Sequence, residues 1–438
     1  MTRSLVPPRM RGLPRAVWVL VAGTLITRAG SFAIPFMTIY LYDDRGLSLR
    51  AAGVALAAYG AGGMVAALSG GMLADRLGRK PVVVGSPLLG GLSVIGLLIS
   101  QRPAVVVLVA FLGGIVSESG RPAVSAMLTD LTPPERRIDA FALFRLVINL
   151  GFAVGVGLGG LMITHYGFAR LFVADALTSW VYAVVALALL PETRPLSPTA
   201  PGAPARGFRA VVADRVMRRY WLGTFVAAVV FCQPMATLAL ALRARGMETA
   251  VYGALISLNG LVIIAAEFWL SGRSRRYAPH RVMALAALLI GGGFALTGAV
   301  GTSLPLLAGT VVIWTVGEML GSPTGQAYLA AIAPPDLRGR YAGAVGLAWS
   351  LAFTVGPIVG TSALAFGHGA YWLGSLALGM VAAALFMTLP AVAGAAGDPA
   401  IPPGLPERPG DAAPVPPGVA VPDEPRGRLL PRFARPRS

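Results

Sequence analysis

The sequence predicts an all-helical integral membrane protein with twelve transmembrane helices, arranged as two six-helix repeats. Three observations predict this fold class: the composition, the lengths of the apolar segments and a repeat within the chain. Of the 438 residues, 55% are hydrophobic and only 13% are charged. A soluble domain carries about a quarter charged residues, so the composition excludes a soluble globular protein.

Twelve apolar segments are long enough to cross a bilayer, which takes about 20 residues in a helix. We number the predicted helices α1 to α12 in chain order. They cover Arg15–Tyr42, Leu49–Leu73, Pro81–Ser100, Ala104–Thr129, Ala140–Thr164, Phe168–Leu190, Arg219–Leu242, Thr249–Ser271, Arg281–Val300, Leu304–Ala331, Gly339–Phe366 and Ala370–Pro390. The basic stretch before α1 leads into a segment of full spanning length, so we expect an anchored helix rather than a cleaved signal peptide.

The positive charges lie mainly on one side of this arrangement. The N-terminal stretch and the loops after even-numbered helices hold 21 Lys and Arg residues, whereas the loops after odd-numbered helices hold six. Because positively charged loops remain cytoplasmic, we expect a multi-pass protein of the cytoplasmic membrane with both termini in the cytoplasm. The net charge of +17 then reflects topology and contact with anionic membrane lipids, and nucleic acid is not an expected partner.

Two segments of the chain, 120–160 and 321–361, share a pattern. Pro122 corresponds to Pro323, and a proline pair and two glycines follow at the same offset of 201 residues. The chain is therefore expected to contain two related halves. The predicted domains are a cytoplasmic N-terminus over 1–14, an N-terminal bundle over 15–190, a cytoplasmic linker over 191–218, a C-terminal bundle over 219–393 and a disordered cytoplasmic tail over 394–438.

A charged turn, GMLADRLGRK at 71–80, joins α2 to α3. Its charges cannot lie in hydrocarbon, so the turn is expected at a membrane surface. The pattern G-x-L-A-D-R-x-G-R-K resembles the signature loop between helices 2 and 3 of the major facilitator superfamily. The residues that carry this resemblance are Gly71, Asp75, Arg76, Gly78, Arg79 and Lys80.

The resemblance implies a monomeric secondary transporter, in which two six-helix bundles rock about a central site and expose it to one side at a time. It also implies a gating role for Asp75. That carboxylate is expected to accept hydrogen bonds from the N–H groups that begin α11, near 339–342, because a helix N-terminus favours an anion. A simple positively charged cytoplasmic turn is the alternative interpretation.

Helix α5 carries a stripe of glycines that permits close helix packing. It resembles the G-x3-G-P-x2-G-G motif of the drug–proton antiporter branch of the superfamily, although Val156 stands where proline is usual. Helix α11 keeps the Gly–Pro pair. The residues assigned to helix packing are Gly151, Gly155, Gly159, Gly356 and Pro357.

Ionisable side chains at membrane depth are expected to face a cavity and to have partners, since an unpaired charge there is costly. Burial disfavours the charged form of a carboxylate, which lets it bind a proton near neutral pH. The proton-coupling candidates are Glu118, Glu318 and Glu267. The alternatives are an ion pair of Glu118 with Arg121, a pair of Glu318 with Arg28, and extension of Glu267 to the cytoplasmic surface.

Helices 1, 4, 7 and 10 line the central cavity in the superfamily, and the resemblance implies the same here. An apolar cavity with one or two carboxylates suits lipophilic cations, through burial and cation–π contact. The substrate-binding candidates are Arg28, Arg121, Asn149, Gln233, Phe32, Phe36 and Trp314. Each aromatic residue taken alone is also consistent with packing or lipid contact.

The sequence therefore predicts a transporter that exports small lipophilic or cationic compounds in exchange for protons. An uptake permease for a sugar or an organic acid is the first alternative, because Arg28 and Arg121 suit a carboxylate, and a non-transporting membrane receptor is the second. No catalysis, cofactor or metal is expected. The chain has one cysteine and three histidines, and it lacks H-E-x-x-H and phosphate-binding glycine motifs.

Overall fold

The computed structural model describes residues 13–133, 136–193, 206–334 and 337–392. These residues form helices and contain no strand, and eleven of the helices are long and apolar enough to cross a membrane. The longest, Arg137–Leu189, bends at Gly167, whose backbone φ of 78° is not helical. The arm before the bend is α5 and the arm after it is α6. Counted separately, the arms give twelve spans among the described residues, which confirms the predicted fold class.

The observed helices follow the predicted order, and several extend past the apolar core of the span. The cause is that polar residues at the membrane surface continue the helix beyond the hydrocarbon. The observed bounds are α1 Arg15–Asp44, α2 Leu49–Leu77, α3 Arg79–Ile99, α4 Pro103–Leu131, α5 and α6 within Arg137–Leu189, α7 Arg215–Arg243, α8 Thr249–Ser274, α9 Pro279–Ala299, α10 Leu304–Ile332, α11 Arg338–Phe366 and α12 His368–Met387.

The segments predicted to lie outside the bundles fall partly outside the described residues. Positions 1–12, 194–205 and 393–438 are not described. The predicted tail therefore lies wholly outside the described residues. Within the predicted linker, a short helix, Arg206–Ala213, precedes α7. Helix α7 begins at Arg215, four residues before its predicted start. The carboxylate of Asp214 caps it, with Oδ1 accepting hydrogen bonds from Val216 N at 2.8 Å and Met217 N at 3.2 Å.

Helix α1 is interrupted within the membrane. Its first segment ends at Gly30, and the next helical segment begins at Ala33. A buried carboxylate on α6 stabilises the interruption: Asp175 Oδ2 accepts hydrogen bonds from Phe32 N at 2.9 Å and Ala33 N at 2.8 Å. The two backbone N–H groups that start the second segment therefore have a partner where no lipid group can supply one.

The two six-helix halves pack against each other through α2 with α11 and through α5 with α8. We call the side of the bundle that holds Arg15 and Met387 the termini side, and the opposite side the far side. One close backbone contact between the halves lies on the far side, where Gly160 faces Gly253. The absence of side chains at both positions lets α5 and α8 approach closely.

Polar and aromatic contacts join the halves at the same level. Arg243 Nε donates a hydrogen bond to Asp43 Oδ2 at 3.0 Å, which links the end of α7 to the end of α1. Tyr252 donates to the Pro35 carbonyl oxygen at 3.2 Å, and its ring packs edge-on against Phe36 with centroids 5.3 Å apart. The far side is therefore closed by backbone, aromatic and ionic contacts together.

The turn between α2 and α3 consists of one residue, Gly78, whose φ of 101° lies in the left-handed region that favours glycine. A carboxylate from the end of α6 caps α3: Glu192 Oε1 accepts from Arg79 N at 2.9 Å, and Oε2 accepts from Lys80 N at 3.3 Å. The predicted tight turn is therefore held by a residue 113 positions away in the chain.

Gly253→Val is expected to separate α8 from α5 on the far side. A Cβ at this position would lie 2.8 Å from a backbone carbonyl oxygen of α5, and such overpacking costs about 1–3 kcal/mol. We expect spin labels at Tyr166→Cys and Glu248→Cys, in a Cys232→Ala background, to move apart. The control is Gly292→Val, because a Cβ there would meet no atom within 4 Å. An unchanged distance in the Gly253 variant would contradict close packing at this contact.

Glu192→Ala is expected to destabilise the protein by about 1 kcal/mol, the usual effect of removing a helix cap. The measurement is thermal unfolding of the detergent-solubilised protein. Glu248→Ala is the matched control, because Glu248 stands at the N-cap of α8 but its side chain makes no capping hydrogen bond. Equal changes of the unfolding temperature in the two variants would assign the effect to the lost charge rather than to the cap.

Candidate functional site

A cavity of about 580 Å³ lies within the bundle and is lined by residues of both halves. Helices α1, α4, α7 and α10 contribute to it, as the resemblance implies, and α2, α3, α5, α6 and α8 also line it. This volume is typical of sites that bind small molecules. In the part of the chain that the structure describes, no group of three His, Cys, Asp or Glu side chains could hold a metal ion.

The N-terminal half contributes two arginines, Arg28 and Arg121, and two carboxylates, Glu118 and Asp175, to the cavity lining. Glu118 Oε2 lies 2.7 Å from Arg121 Nε, one helical turn further along α4, so these two charges compensate each other. Arg28 lines the same cavity from α1, with Glu118 and Arg121 as electrostatic neighbours. Its guanidinium makes no hydrogen bond or ion pair with any described residue. Asn149 of α5 is a further polar group in this lining.

The wall from the C-terminal half holds a carboxylate without a cationic partner among the described residues. Glu318 lines the cavity from α10, and its Oε2 accepts a hydrogen bond from Asn259 Nδ2 of α8 at 3.0 Å. Asn259 Nδ2 also lies 3.0 Å from Thr315 Oγ1, which fixes the amide in place. The anticipated pair of Glu318 with Arg28 is not formed. Asn259 was not identified from the sequence, where its signal was a single amide in an apolar helix.

The third candidate carboxylate lies apart from the cavity lining. Glu267 of α8 forms an ion pair with Arg145 of α5, across the two halves. Its side chain is 20% exposed and that of Arg145 is 51% exposed. The sequence indicates no partner for Glu267, because Arg145 is 122 residues away in the chain.

Two of the three aromatic candidates lie elsewhere than expected. Trp314 lines the cavity, and so does Phe231 of α7. Phe32 and Phe36 are buried in the core, with 5% and 0% exposure, and do not line it. The expectation assumed one continuous α1, whereas the interruption after Gly30 changes the direction in which the following side chains point.

Gln233 also lies outside the cavity lining, which corrects its expected position. Its side chain is buried, and Nε2 donates hydrogen bonds to the carbonyl oxygens of Val229 at 2.7 Å and Gly356 at 3.1 Å. Gln233 therefore joins α7 to α11. The physical reason is a π-helical turn at Pro234–Leu238, which widens α7 locally and shifts the faces of neighbouring residues.

The glycines assigned to packing lie at helix contacts. A Cβ at Gly155 would lie 2.8 Å from the Arg28 carbonyl oxygen, and one at Gly151 would lie 2.6 Å from Arg28 Cβ, so α5 packs against α1 here. A Cβ at Gly159 would lie 2.7 Å from a ring carbon of Phe36. In the second half, Gly356 and Pro357 are buried on α11, where Gly356 faces α7.

The signature loop makes contacts within its own half. Arg79 forms an ion pair with Asp130 at the end of α4, and its Nη1 donates to the Ala126 carbonyl oxygen at 3.1 Å. Asp75 is exposed and makes no hydrogen bond or ion pair with another described residue, so the expected contact with the start of α11 is not formed in this structure.

The remaining loop residues take different positions. Arg76 is exposed and Lys80 is partly buried. Gly71 was expected to permit close helix approach, but a Cβ there would meet no atom within 4 Å. Only Gly78 of the two loop glycines is required by the backbone, since its φ is positive. Asp130, the partner of Arg79, was not identified from the sequence.

The sequence matches the family model described as Major Facilitator Superfamily, over residues 19–357 and 233–418. The uncharacterized MFS-type transporter YqjV of Bacillus subtilis (strain 168) is 30% identical over 360 residues, which cover 78% of this chain and 85% of the relative. A solved structure of a POT family transporter in complex with a thioalcohol-conjugated peptide aligns with a TM-score of 0.73. It covers 86% of this chain and 96% of that chain at 17% identity, and thus shares the fold.

Two further relatives have names that specify different solutes. The 4-hydroxybenzoate transporter PcaK of Pseudomonas aeruginosa is 27% identical over 399 residues, covering 81% of this chain and 83% of the relative. The multidrug resistance protein MdtH of Aeromonas salmonicida is 26% identical over 395 residues, covering 87% and 96%. The family-model match extends over most of the described helices, and the cavity lies between two six-helix halves. The chain belongs to the Major Facilitator Superfamily.

Proposed function

We propose that this protein is a proton-coupled secondary transporter, which exports a small and partly apolar organic solute by alternating access. Glu318 is the observation that carries the proposal. Its carboxylate lines a cavity between the two halves and has a neutral amide as its hydrogen-bond partner. Burial of a carboxylate that has no paired cation disfavours its charged form. Glu318 is therefore suited to take up a proton and to release it when the cavity faces the other side.

The ion pairs of the other two carboxylates make them weaker proton carriers. Glu118 is paired with Arg121, and Glu267 is paired with Arg145. A neighbouring guanidinium stabilises the charged form of a carboxylate, which opposes proton uptake near neutral pH. The geometry therefore favours Glu318 as the carrier. The pair of Glu267 with Arg145 links α8 to α5, whereas the pair of Glu118 with Arg121 lies within α4.

The contacts between the halves support a rocking cycle about one central site in a monomer. The far side is closed by the packing of α5 on α8 and by the pair of Asp43 with Arg243. On the termini side, which the charge distribution predicts to be cytoplasmic, Asp75 has no contact with α11. We interpret this structure as the state that faces the termini side, and we assign the contact of Asp75 with the start of α11 to the opposite state.

Export of lipophilic or cationic compounds is supported by the similarity to MdtH, and by Phe231, Trp314 and Glu318 in the cavity lining. Proton-driven uptake of an organic acid is the second candidate. It is favoured by Arg28, which lines the cavity without an ion pair to a described residue, and by the similarity to PcaK. The two candidates share the same cavity and the same proton carrier, and they differ in the charge of the solute and the direction of movement.

Glu318→Gln is expected to abolish accumulation driven by a pH gradient while sparing solute binding, because an amide keeps the hydrogen-bonding shape but exchanges no proton. The measurement is pyranine-reported proton flux in proteoliposomes, upon addition of aromatic amines, aromatic acids and sugars. Glu248→Gln, an exposed carboxylate in the turn before α8, is the control. Full gradient-driven accumulation in the Glu318 variant would remove this residue from proton coupling.

Asp75→Asn is expected to slow turnover without lowering the amount of folded protein. A helix N-terminus stabilises an anion by about 0.3–1 kcal/mol, so we expect turnover to fall by roughly two- to fivefold if Asp75 binds α11 in one state of the cycle. Asp44→Asn, at the far end of α1 where the aspartate is also exposed, is the matched control. Normal turnover in the Asp75 variant, measured in the same proteoliposomes, would exclude the gating role.

A further inference from the structure

The guanidinium of Arg28 is a charged group of the cavity that the proposed proton coupling does not use. We propose that Arg28 binds the carboxylate of the transported solute, and that the solute is a small aromatic monocarboxylic acid. This inference rests on the proposed transport function and names the substrate class of the same cavity. The cavity is thus proposed to recognise an anionic solute rather than a cationic one.

The charge distribution of the cavity is the first argument. The N-terminal half contributes four ionisable side chains to the cavity lining: Arg28, Glu118, Arg121 and Asp175. Glu118 and Arg121 neutralise each other at 2.7 Å, and the carboxylate of Asp175 accepts hydrogen bonds from two backbone N–H groups of α1. Arg28 is left without an ion pair or hydrogen bond to any described residue. An uncompensated charge within the membrane is costly, so a countercharge supplied by the solute stabilises the occupied cavity.

The accessibility of Arg28 is the second argument. The nitrogen atoms of Arg28 have no hydrogen-bond partner among the described residues, and they are not fully buried. They are therefore exposed to the cavity that Arg28 lines. A guanidinium presents its N–H groups in a planar fork that matches both oxygens of a carboxylate. Asn149, in the same lining, adds an amide donor for the same anion.

The apolar part of the lining is the third argument. Phe152 of α5, Phe231 of α7 and Trp314 of α10 contribute aromatic surface to the same cavity. Aromatic side chains pack well against a planar ring. A volume of about 580 Å³ accommodates a ring together with its carboxylate and several waters. A solute with one anionic end and one planar apolar end thus matches the two kinds of surface that the cavity offers.

The arrangement of the charges also bears on the proton carrier. Glu318 lies on the half opposite Arg28, where Asn259 holds it at 3.0 Å. An organic anion at Arg28 and a proton at Glu318 would therefore be bound by residues of different halves. A cationic solute would instead meet the guanidinium as a like charge, which disfavours binding.

The experiment measures equilibrium binding to the full-length purified protein in nanodiscs by isothermal titration calorimetry. The probes are benzoate, benzamide and benzylamine, which share a ring and differ in charge. We expect benzoate to bind at least about tenfold more tightly than the other two, the range of a hydrogen-bonded charge pair. Arg28→Gln should remove this preference. Arg170→Gln, an exposed arginine in the first turn of α6, should retain it.

Arg28→Lys guards against a folding defect in the glutamine variant, because it keeps the charge but loses the planar fork. It should show weakened benzoate binding and an unchanged order of the three probes. Tightest binding of benzylamine by the wild type, or equal binding of all three probes, would overturn the proposal. The absence of binding of every probe up to its solubility limit would also overturn the assignment to aromatic acids.

Binding and transport are measured separately, so that the two proposals can fail independently. Preferential benzoate binding that depends on Arg28, combined with no proton flux in proteoliposomes, would contradict proton-coupled transport and retain the anion site. Gradient-driven movement of benzylamine but not of benzoate would support proton coupling and overturn the anion site.

Discussion

The absence of water from the membrane interior is the constraint on which this structure depends. A polar group there needs a partner from the protein or a cavity that contains water. Asp175 meets this requirement for the N–H groups at the interruption of α1, and Asn259 meets it for Glu318. The guanidinium of Arg28 lines the cavity and makes no hydrogen bond or ion pair with any described residue. It is therefore well placed to respond to a solute.

The same constraint explains why the two halves hold together as they do. Between spanning helices, apolar contact with a neighbour gains little over contact with lipid, so close packing and polar pairs stabilise the interface. The far side uses facing glycines, an aromatic pair and the ion pair of Asp43 with Arg243. Toward the termini side, the pair of Arg145 with Glu267 adds a second ionic link. A rocking motion has to exchange some of these contacts for others.

Much of the fold follows from the sequence, because spanning length and composition directly reflect the thickness and polarity of the membrane. Arg28 and Glu318, both singled out from the sequence, line the cavity. Phe32, Phe36 and Gln233 were misplaced because helical spacing assumes an unbroken helix, and the interruption of α1 and the π turn of α7 violate that assumption. Pairs such as Arg145 with Glu267 could not be predicted, since nothing local in the chain specifies a partner so distant.

The single-residue turn at Gly78 and the bend at Gly167 have a consequence for biosynthesis. Because no loop separates these helices, the first helix cannot insert fully while the second is still outside the membrane. We therefore expect α2 with α3, and α5 with α6, to enter the bilayer as preformed hairpins. In the second half the turn between α8 and α9 is longer, with α8 ending at Ser274 and α9 beginning at Pro279. These two helices are free to insert one after the other.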